Sequence, residues 1–560
     1  MTIQSVLLAS GLALGVALAQ AADGRAAEGE SSQFRFVSLE HPARAYAHRL
    51  ADVDGDGRID LSWVFAASDD PKVHRLRSCL QGPEASFSRC FELELPADLR
   101  AFDLGEVDGR PGSELVLVTH TGALIASFEG QGFGVPRPLP DGQTLLSGTN
   151  EGPPLALRLL FDLDADGRSE VLLPTSQGPA LHRFGAEGFE RVQVLESRAR
   201  VRYAHRSNGL DLNSTSGRIH ANSLSTTATT PALFVEDFDG DGRKDIVTLS
   251  GNRIHVFLQA PGGLYATKPS TEIERSILTA QELDSELAGE AVVFADLDGD
   301  GSADLVATKW GSPEERTRLD RHVFFARPGL QYPEQADQIV RSESVFPNFE
   351  LHDLNQDGRL DMVVPYFHFA PAQAFKVMTE SALRVQLRLF LMGEDGRYGQ
   401  DPGKTFARVD RRVVLDYHLD ILGMIFGDGS RPSGDFEPLL TFRGDFNGDG
   451  YPDLIADSGD DHLHFYWGNA EAQYARSPDL VIDYESSLVS DLVDLNADGK
   501  TDVVTYYGRE SVRWKGPTEL ERYEKTKRRR KLAREQRARR SATKPAGAPA
   551  ESRIKMLISR

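Results

Sequence analysis

Along most of the chain the apolar positions come in short bursts. A burst of three, such as Leu233-Phe234-Val235, runs into a polar, acidic stretch, and a β-branched run, Asp245-Ile246-Val247-Thr248-Leu249, leaves it. A third segment, Ile254-His255-Val256-Phe257-Leu258, alternates in period two, the spacing of a strand with one face buried. A less regular fourth leads onward. The order recurs around each acidic stretch, so the pattern predicts an all-β chain built from units of four short strands. In the last unit Asp502-Val-Val-Thr-Tyr506 and Ser511-Val-Arg-Trp514 read as strands two and three, with no fourth behind them. Gln33-Phe-Arg-Phe-Val-Ser-Leu39, ahead of the first acidic stretch, reads as that missing strand, which would join the two ends of a ring and remove its open edge.

The acidic stretches share one nine-residue pattern, with oxygen side chains at positions 1, 3, 5 and 9. Four copies are fully acidic: Asp52, Asp54, Asp56, Asp60; Asp162, Asp164, Asp166, Glu170; Asp237, Asp239, Asp241, Asp245; and Asp296, Asp298, Asp300, Asp304. Three carry Asn third: Asp353, Asn355, Asp357, Asp361; Asp445, Asn447, Asp449, Asp453; and Asp494, Asn496, Asp498, Asp502. An eighth unit, Asp103 to Glu114, reads with Gly105 third and extra residues before its last acid, and is expected to hold no metal. Alternate carboxylates turned inward, with Gly after position 5 supplying a left-handed bend, form an oxygen cage for a hard cation. Calcium suits flexible coordination by six to eight oxygens, and the carbonyl of position 7, such as Arg58, can add to the set. Magnesium demands tighter octahedral geometry, and zinc prefers His or Cys. About seven calcium sites are expected. An EF-hand is excluded, because position 12 of the first copy is Trp63 within strand-like residues rather than a bidentate Glu before a helix.

Motif starts at 52, 103, 162, 237, 296, 353, 445 and 494 are mostly about 50 to 60 residues apart, the size of one propeller blade. On these residues, and on the string DVDGDGRIDL from Asp52 to Leu61 above all, the chain resembles the FG-GAP and VCBS repeat proteins, which include the calcium-loop propeller of integrin α-subunits. The resemblance covers residues 33 to 516. It implies a calcium-binding β-propeller with an extracellular adhesion or ligand-recognition role. Integrin propellers have seven blades; eight units here predict eight, with seven as the alternative.

Charge divides the chain. The formal net charge is −21, but from Pro517 to Arg560 there are 15 Lys and Arg against 5 Asp and Glu, leaving −31 for the rest. An acidic body is unsuited to duplex nucleic acid, which needs a cationic face. Residues 517–560, including Lys527-Arg-Arg-Arg-Lys531, read as a disordered or helical basic tail, dispensable for folding and suited to an anionic surface. At the other end, Val6 to Ala19 is an apolar run followed by small residues, an export signal cleaved after Ala21, with 22–32 a linker. The run is short for a membrane span. Export places the protein in the periplasm, at the cell surface or outside the cell, where Cys79 and Cys90 are expected to pair across a hairpin.

Longer intervals mark insertions: a Ser/Thr-rich loop at 204–231, an aromatic-rich region at 366–384, and a polar cluster at 427–438. A ligand could stack on Tyr366, Phe367 and Phe369, and loops on a propeller rim are the usual binding surface. Arg443-Gly444-Asp445 spells an adhesion tripeptide, but Asp445 is the first residue of an acidic loop. Residues 399–405 have three residues between the glycines where a phosphate loop has four. No nucleophile elbow or zincin helix is present. The sequence therefore reads as an exported, calcium-binding, non-enzymatic recognition module for a surface carbohydrate or protein. A lyase-like polysaccharide enzyme and a structural envelope protein are the alternatives.

Overall fold

In a computed structural model the strands assemble into an eight-bladed β-propeller. The structure describes residues 33–41, 45–67, 70, 73–146, 154–186, 188–209, 220–250, 253–279, 282, 289–311, 318–343, 348–366, 382–399, 407, 409–418, 440–457, 462–483, 489–507 and 552–559. The export signal and linker, and the clusters at 367–381 and 427–438, lie outside these residues.

In blades 1 to 7 four antiparallel strands pair in chain order. Blade 1 is Ala45–Ala51, Asp60–Ala66, His74–Gly82 and Ser86–Glu94. Blade 4 is Ala232–Glu236, Asp245–Ser250, Arg253–Phe257 and Thr271–Glu274, the first three matching the strands read from the alternation. Blade 2 carries a short extra strand, Leu155–Ala156, parallel to its first strand. Apolar side chains from both faces of each blade pack against its neighbours. Val53, Val64 and Leu76 of blade 1 meet Leu99, Phe102 and Leu117 of blade 2. Equivalent clusters seal the remaining junctions. The last junction, between blades 8 and 1, joins Leu61, Trp63 and Phe65 to Val504, Ile554, Met556 and Ile558, so the ring is closed.

Blade 8 corrects the sequence reading. Its strands are Val489–Val493, Asp502–Tyr507, Ser552–Ser559 and Phe34–His41. The N-terminal strand does supply the outer edge, but its partner comes from the extreme C-terminus rather than from Ser511–Trp514, which lies outside the described residues. Phe34 pairs with Ser559 and His41 with Ser552. The physical reason is apolar alternation: Ile554, Met556 and Ile558 face blade 1, while Leu557 packs with Phe34, Phe465 and Val503 toward blade 7. Residues 517–560 are therefore not wholly a tail outside the propeller, since Ser552–Ser559 is a strand of blade 8. Residues 508–551 connect two neighbouring strands of one blade, and the propeller extends past 516 to Ser559.

A second correction concerns 204–231. Arg200–Gly209 pairs with His220–Thr229 over ten residues to form a two-stranded ribbon between blades 3 and 4. The Thr-rich strand that composition marks as loop pairs well in an extended ladder. The expected disulfide is present: Cys79 and Cys90 are cross-strand partners in blade 1 and are bonded. Among the described residues no helix is long and apolar enough to cross a membrane.

Deleting residues 552–560 removes a central strand of blade 8 and exposes the apolar faces of blades 7 and 1. The cooperative melt should be lost or the midpoint should fall by more than about 10 °C, given that such burial is worth several kcal/mol. A melting curve matching the full chain would refute the composite blade.

Candidate functional site

Every acidic motif links the first and second strands of its blade, so all of them lie at one end of the barrel of strands, here termed the loop face. Position 9 opens the second strand in each case: Asp60, Asp245, Asp304, Asp361, Asp453 and Asp502 are each 0–1% exposed. One oxygen accepts the N–H of position 2, as in Val53 to Asp60 at 2.7 Å and Phe446 to Asp453 at 2.8 Å. The other accepts an N–H at the end of the third strand: Gln81 to Asp60 at 2.7 Å, Ala326 to Asp304 at 2.7 Å, Gly468 to Asp453 at 2.8 Å. In blade 8 that donor is the penultimate residue, Ser559, at 2.6 Å from Asp502. Position 9 is therefore a clamp on three strands as well as a candidate ligand.

Position 1 is held by the loop's own backbone. In the first loop Gly55 and Asp56 donate to one oxygen of Asp52 at 2.8 and 3.1 Å, and Gly57 to the other at 2.8 Å. Asp445 of the Arg-Gly-Asp string is engaged in the same way by Gly448, Asp449 and Gly450. At position 5, Asp56, Asp166, Asp241 and Asp357 pair with the Arg at position 7 of their own loops. Where position 3 is Asn, its amide donates to position 5: Asn355 to Asp357 at 3.1 Å, Asn447 to Asp449 at 3.0 Å and Asn496 to Asp498 at 3.1 Å.

The fold brings together carboxylate triplets with one oxygen of each within 4.8 Å of the others. They are Asp52, Asp54 and Asp60; Asp162, Asp164 and Asp166; Asp237, Asp239 and Asp245; and Asp296, Asp298 and Asp300. Burial, ahead of repulsion from neighbouring acids, raises the pKa of Asp54, Asp239 and Asp298. It pushes Asp60 and Asp245 up to about 6, and Asp304, Asp361 and Asp453 to about 7. Buried oxygens of Asp54, Asp162 and Asp164 have no hydrogen-bond donor. Crowded anions with unused lone pairs fit a cation, and these clusters could hold metal ions.

A fifth triplet, Glu106, Asp108 and Glu114, resets the frame of the eighth unit. Counted from Glu106 it is an ordinary nine-residue loop: Glu114 accepts the position-2 N–H of Val107 at 2.9 Å, and Glu106 accepts that of Gly109 at 2.6 Å. Its position 5 is Arg110. Pro111 at position 6 cannot take the left-handed conformation of Gly57, so that conformation passes to Gly112, at φ 111°. Asp103 is instead a strand residue. It pairs with Arg49 at 2.8 Å and accepts the N–H groups of Leu159 and Leu160 at 2.6 and 3.1 Å.

Neighbouring loops bond to one another at seven of the eight junctions, and at the last the bond to the eighth loop comes from the third strand of blade 1. Position 8 donates to the preceding loop in Ser113 to Val53 at 3.1 Å, Ser169 to Glu106 at 2.7 Å, Ala303 to Phe238 at 3.1 Å, Leu360 to Leu297 at 2.9 Å and Thr501 to Asp445 at 2.7 Å. Lys244 to Asp162, Gln356 to Gly450, and Gln81 to Leu495 complete the circuit. The approach is tight: a Cβ on Gly299, at φ +77°, would lie 2.7 Å from the carbonyl of Gly358 in the next loop. Sequence reasoning also missed a tyrosine in blades 4 to 7. Tyr265, Tyr332, Tyr398 and Tyr474 each donate to the carbonyl of position 8 in their own loop, at 2.6 to 2.9 Å. Its signal is a Tyr at a recurring place between the third and fourth strands.

Residues 237–307, spanning the fourth loop to the second strand of blade 5, match the model of the FG-GAP-like repeat. The chain is thus an eight-bladed propeller with an FG-GAP-like repeat at residues 237–307. No curated protein matches the chain. Similar solved structures include an Agrocybe aegerita lectin described as recognising non-reducing terminal N-acetylglucosamine, at 13% identity and TM-score 0.36, covering 81% of this chain and 99% of that one. The periplasmic gluconolactonase PpgL of Pseudomonas aeruginosa aligns at 12% identity and TM-score 0.29, over 67% of this chain and 88% of its own. The V. cholerae biofilm matrix protein Bap1 aligns at 12% and 0.30, over 84% and 85%.

Asp103→Ala should destabilise the fold by about 3 kcal/mol in denaturant titration, because it strands Arg49 and two buried N–H groups. The metal content of the purified protein should not change. Loss of one metal equivalent in this variant would restore Asp103 to the loop.

Proposed function

We propose that the protein is an exported, calcium-stabilised propeller that acts as a non-enzymatic recognition module, presenting the face opposite its acidic loops to a surface carbohydrate or protein. The division of the molecule into two ends carries this reading. The three longest connections leave the strands at the far end: residues 195–231 between blades 3 and 4, 419–439 between blades 6 and 7, and 508–551 within blade 8; 367–381 within blade 6 lies there too, and the longest connection at the loop face is 391–410. Connections that vary in length on a rigid scaffold are where binding surfaces form. The basic stretch leaves and rejoins blade 8 at this far end, which suits contact with an anionic surface.

On the loop face, positions 1, 3 and 5 would hold calcium, with position 9 behind them, and the ion would supply charge neutralisation and cross-linking within each loop. The eight loops contain 28 carboxylates and seven Lys and Arg, a net of −21, which equals the charge of the entire chain. Divalent ions there would remove most of the molecule's self-repulsion. A lyase-like use of the metal needs ligand positions left open toward a substrate. Here the position-9 carboxylates are buried, and in six loops both oxygens are committed to backbone donors. Export agrees with the Cys79–Cys90 bond, which persists in oxidising compartments.

Calcium that binds the folded loops and not the unfolded chain stabilises by mass action, by about 2.7 kcal/mol per site at a hundredfold excess over Kd. Melting should shift upward through a calcium titration and fall in excess EDTA, and a glycan and protein array should show binding that survives only with calcium. Superimposable melts with and without chelator would sink the calcium reading.

A further inference from the structure

Between blades 2 and 3, at the far end, lies a cavity of about 750 Å3 that the acidic loops take no part in. Two matching turns flank it. Thr119 closes on Gly122 and Thr175 on Gly178, each with a backbone N–H and a side-chain hydroxyl donated to the Gly carbonyl. These turns present Thr121 from one side and Ser176 and Gln177 from the other. A third wall is the turn Leu139–Gly142, fixed to blade 2 by Leu139 to Ala123 and Ala123 to Gly142, both at 2.8 Å. The next residues are tied to blade 3 by Leu145 to Pro174 at 2.9 Å. The walls are thus preformed by backbone bonds.

The third turn holds Asp141 at φ 51°, a left-handed conformation that costs a non-glycine residue energy. A glycine there would fold at least as well, so the strain is retained for the side chain. That side chain is 64% exposed and meets Arg191 at 3.2 Å. Beside the pair stand the exposed amides of Gln143 and Gln177 and the hydroxyl of Ser176, which make no side-chain hydrogen bond among the described residues. Leu124, Pro138 and Val194 supply an apolar patch on the same lining.

We propose that this cavity is a saccharide subsite that takes one neutral hexose-type unit through a pair of vicinal hydroxyls. The proposal rests on the recognition role above and gives it a place. A carboxylate that only accepts, next to a guanidinium that only donates, matches adjacent hydroxyls that do both. The two charges cancel, which favours a neutral sugar over a uronate or a phosphate. The amides serve the remaining hydroxyls, and the apolar patch faces the ring's C–H surface.

The test uses the full chain with calcium and a panel of methyl hexosides and methyl N-acetylhexosaminides, read by saturation-transfer NMR and confirmed by calorimetry. Asp141→Asn and Arg191→Ala should each weaken binding about tenfold or more, as expected for a lost charged hydrogen bond. Asp141→Gly should abolish binding while melting at the same temperature or higher, a result that a purely structural role for Asp141 would not give. Binding within twofold of wild type in all three variants would overturn the subsite while leaving a recognition role elsewhere. Failure of the wild type to bind any hexoside, with array binding to larger ligands intact, would also overturn the subsite alone. Failure on both would overturn the recognition role with it.

Discussion

The fold depends on a buried carboxylate. In six of the eight blades an Asp at position 9 sits at 0–1% exposure with one oxygen on the loop's second N–H and the other on an N–H from the end of the third strand. One side chain thereby fixes where the first strand stops, where the second begins and where the third must end. Burying that charge has a cost, visible in carboxyls pushed up to about 6 or 7. Two good hydrogen bonds offset part of it. Blades 2 and 3 use Glu instead. The longer arm of Glu170 reaches Arg183 at 2.9 Å, so the clamp becomes an ion pair on the same third strand.

The clamp explains why the chain can close with its last residues. Ser559 occupies in blade 8 the place that Gln81, Gln259 and Gly468 occupy elsewhere, and its hydroxyl adds bonds to Asp498 and Asp502 at 2.9 and 2.8 Å. Asn496 donates to the Ser559 carbonyl at 3.1 Å. The C-terminus is thus held by the eighth loop on one side and by Phe34 to His41 on the other. Most of the chain lies between the two strands of this closure, so closing the ring carries a large loop entropy that local contacts must repay. The apolar faces of Ile554, Met556, Leu557 and Ile558 do so.

Much of this was legible in the sequence because period-nine acids and period-two apolar residues follow directly from a turn and a strand. The first three strands of blade 4 could be drawn from Leu233 to Leu258 unaided. The failures have separate causes. Asp103 begins a string that looks acidic enough, but the spacing from Glu106 to Glu114 was the true nine, hidden by Arg110 and Pro111 at positions that elsewhere read Asp-Gly. The strand at Ile554 was overlooked because a basic run of more than twenty residues precedes it, and composition outweighed a short alternation. Residues 204–231 read as loop on their Ser and Thr, although Thr is at home in strands and the ribbon begins at Arg200. The cavity beside Asp141 was invisible, since its walls come from three turns brought together only by blade packing.

The concentration of the whole net charge in eight loops separates the two ends of the molecule electrostatically. Outside the loops the chain is neutral in sum, and the charges that line the cavity cancel. A cation at the loop face is separated from the far end by the length of a blade, beyond which screening at physiological salt leaves little direct field. Any influence of calcium on recognition must therefore travel through stiffness. The path is explicit: each loop runs through position 9 into the second strand of its blade, Glu114–Thr119 in blade 2 and Glu170–Pro174 in blade 3, and that strand ends at the turn at Thr119 or Thr175. A ligand that needs those turns held at a fixed spacing would lose affinity on chelation even though no ligand atom approaches the ion.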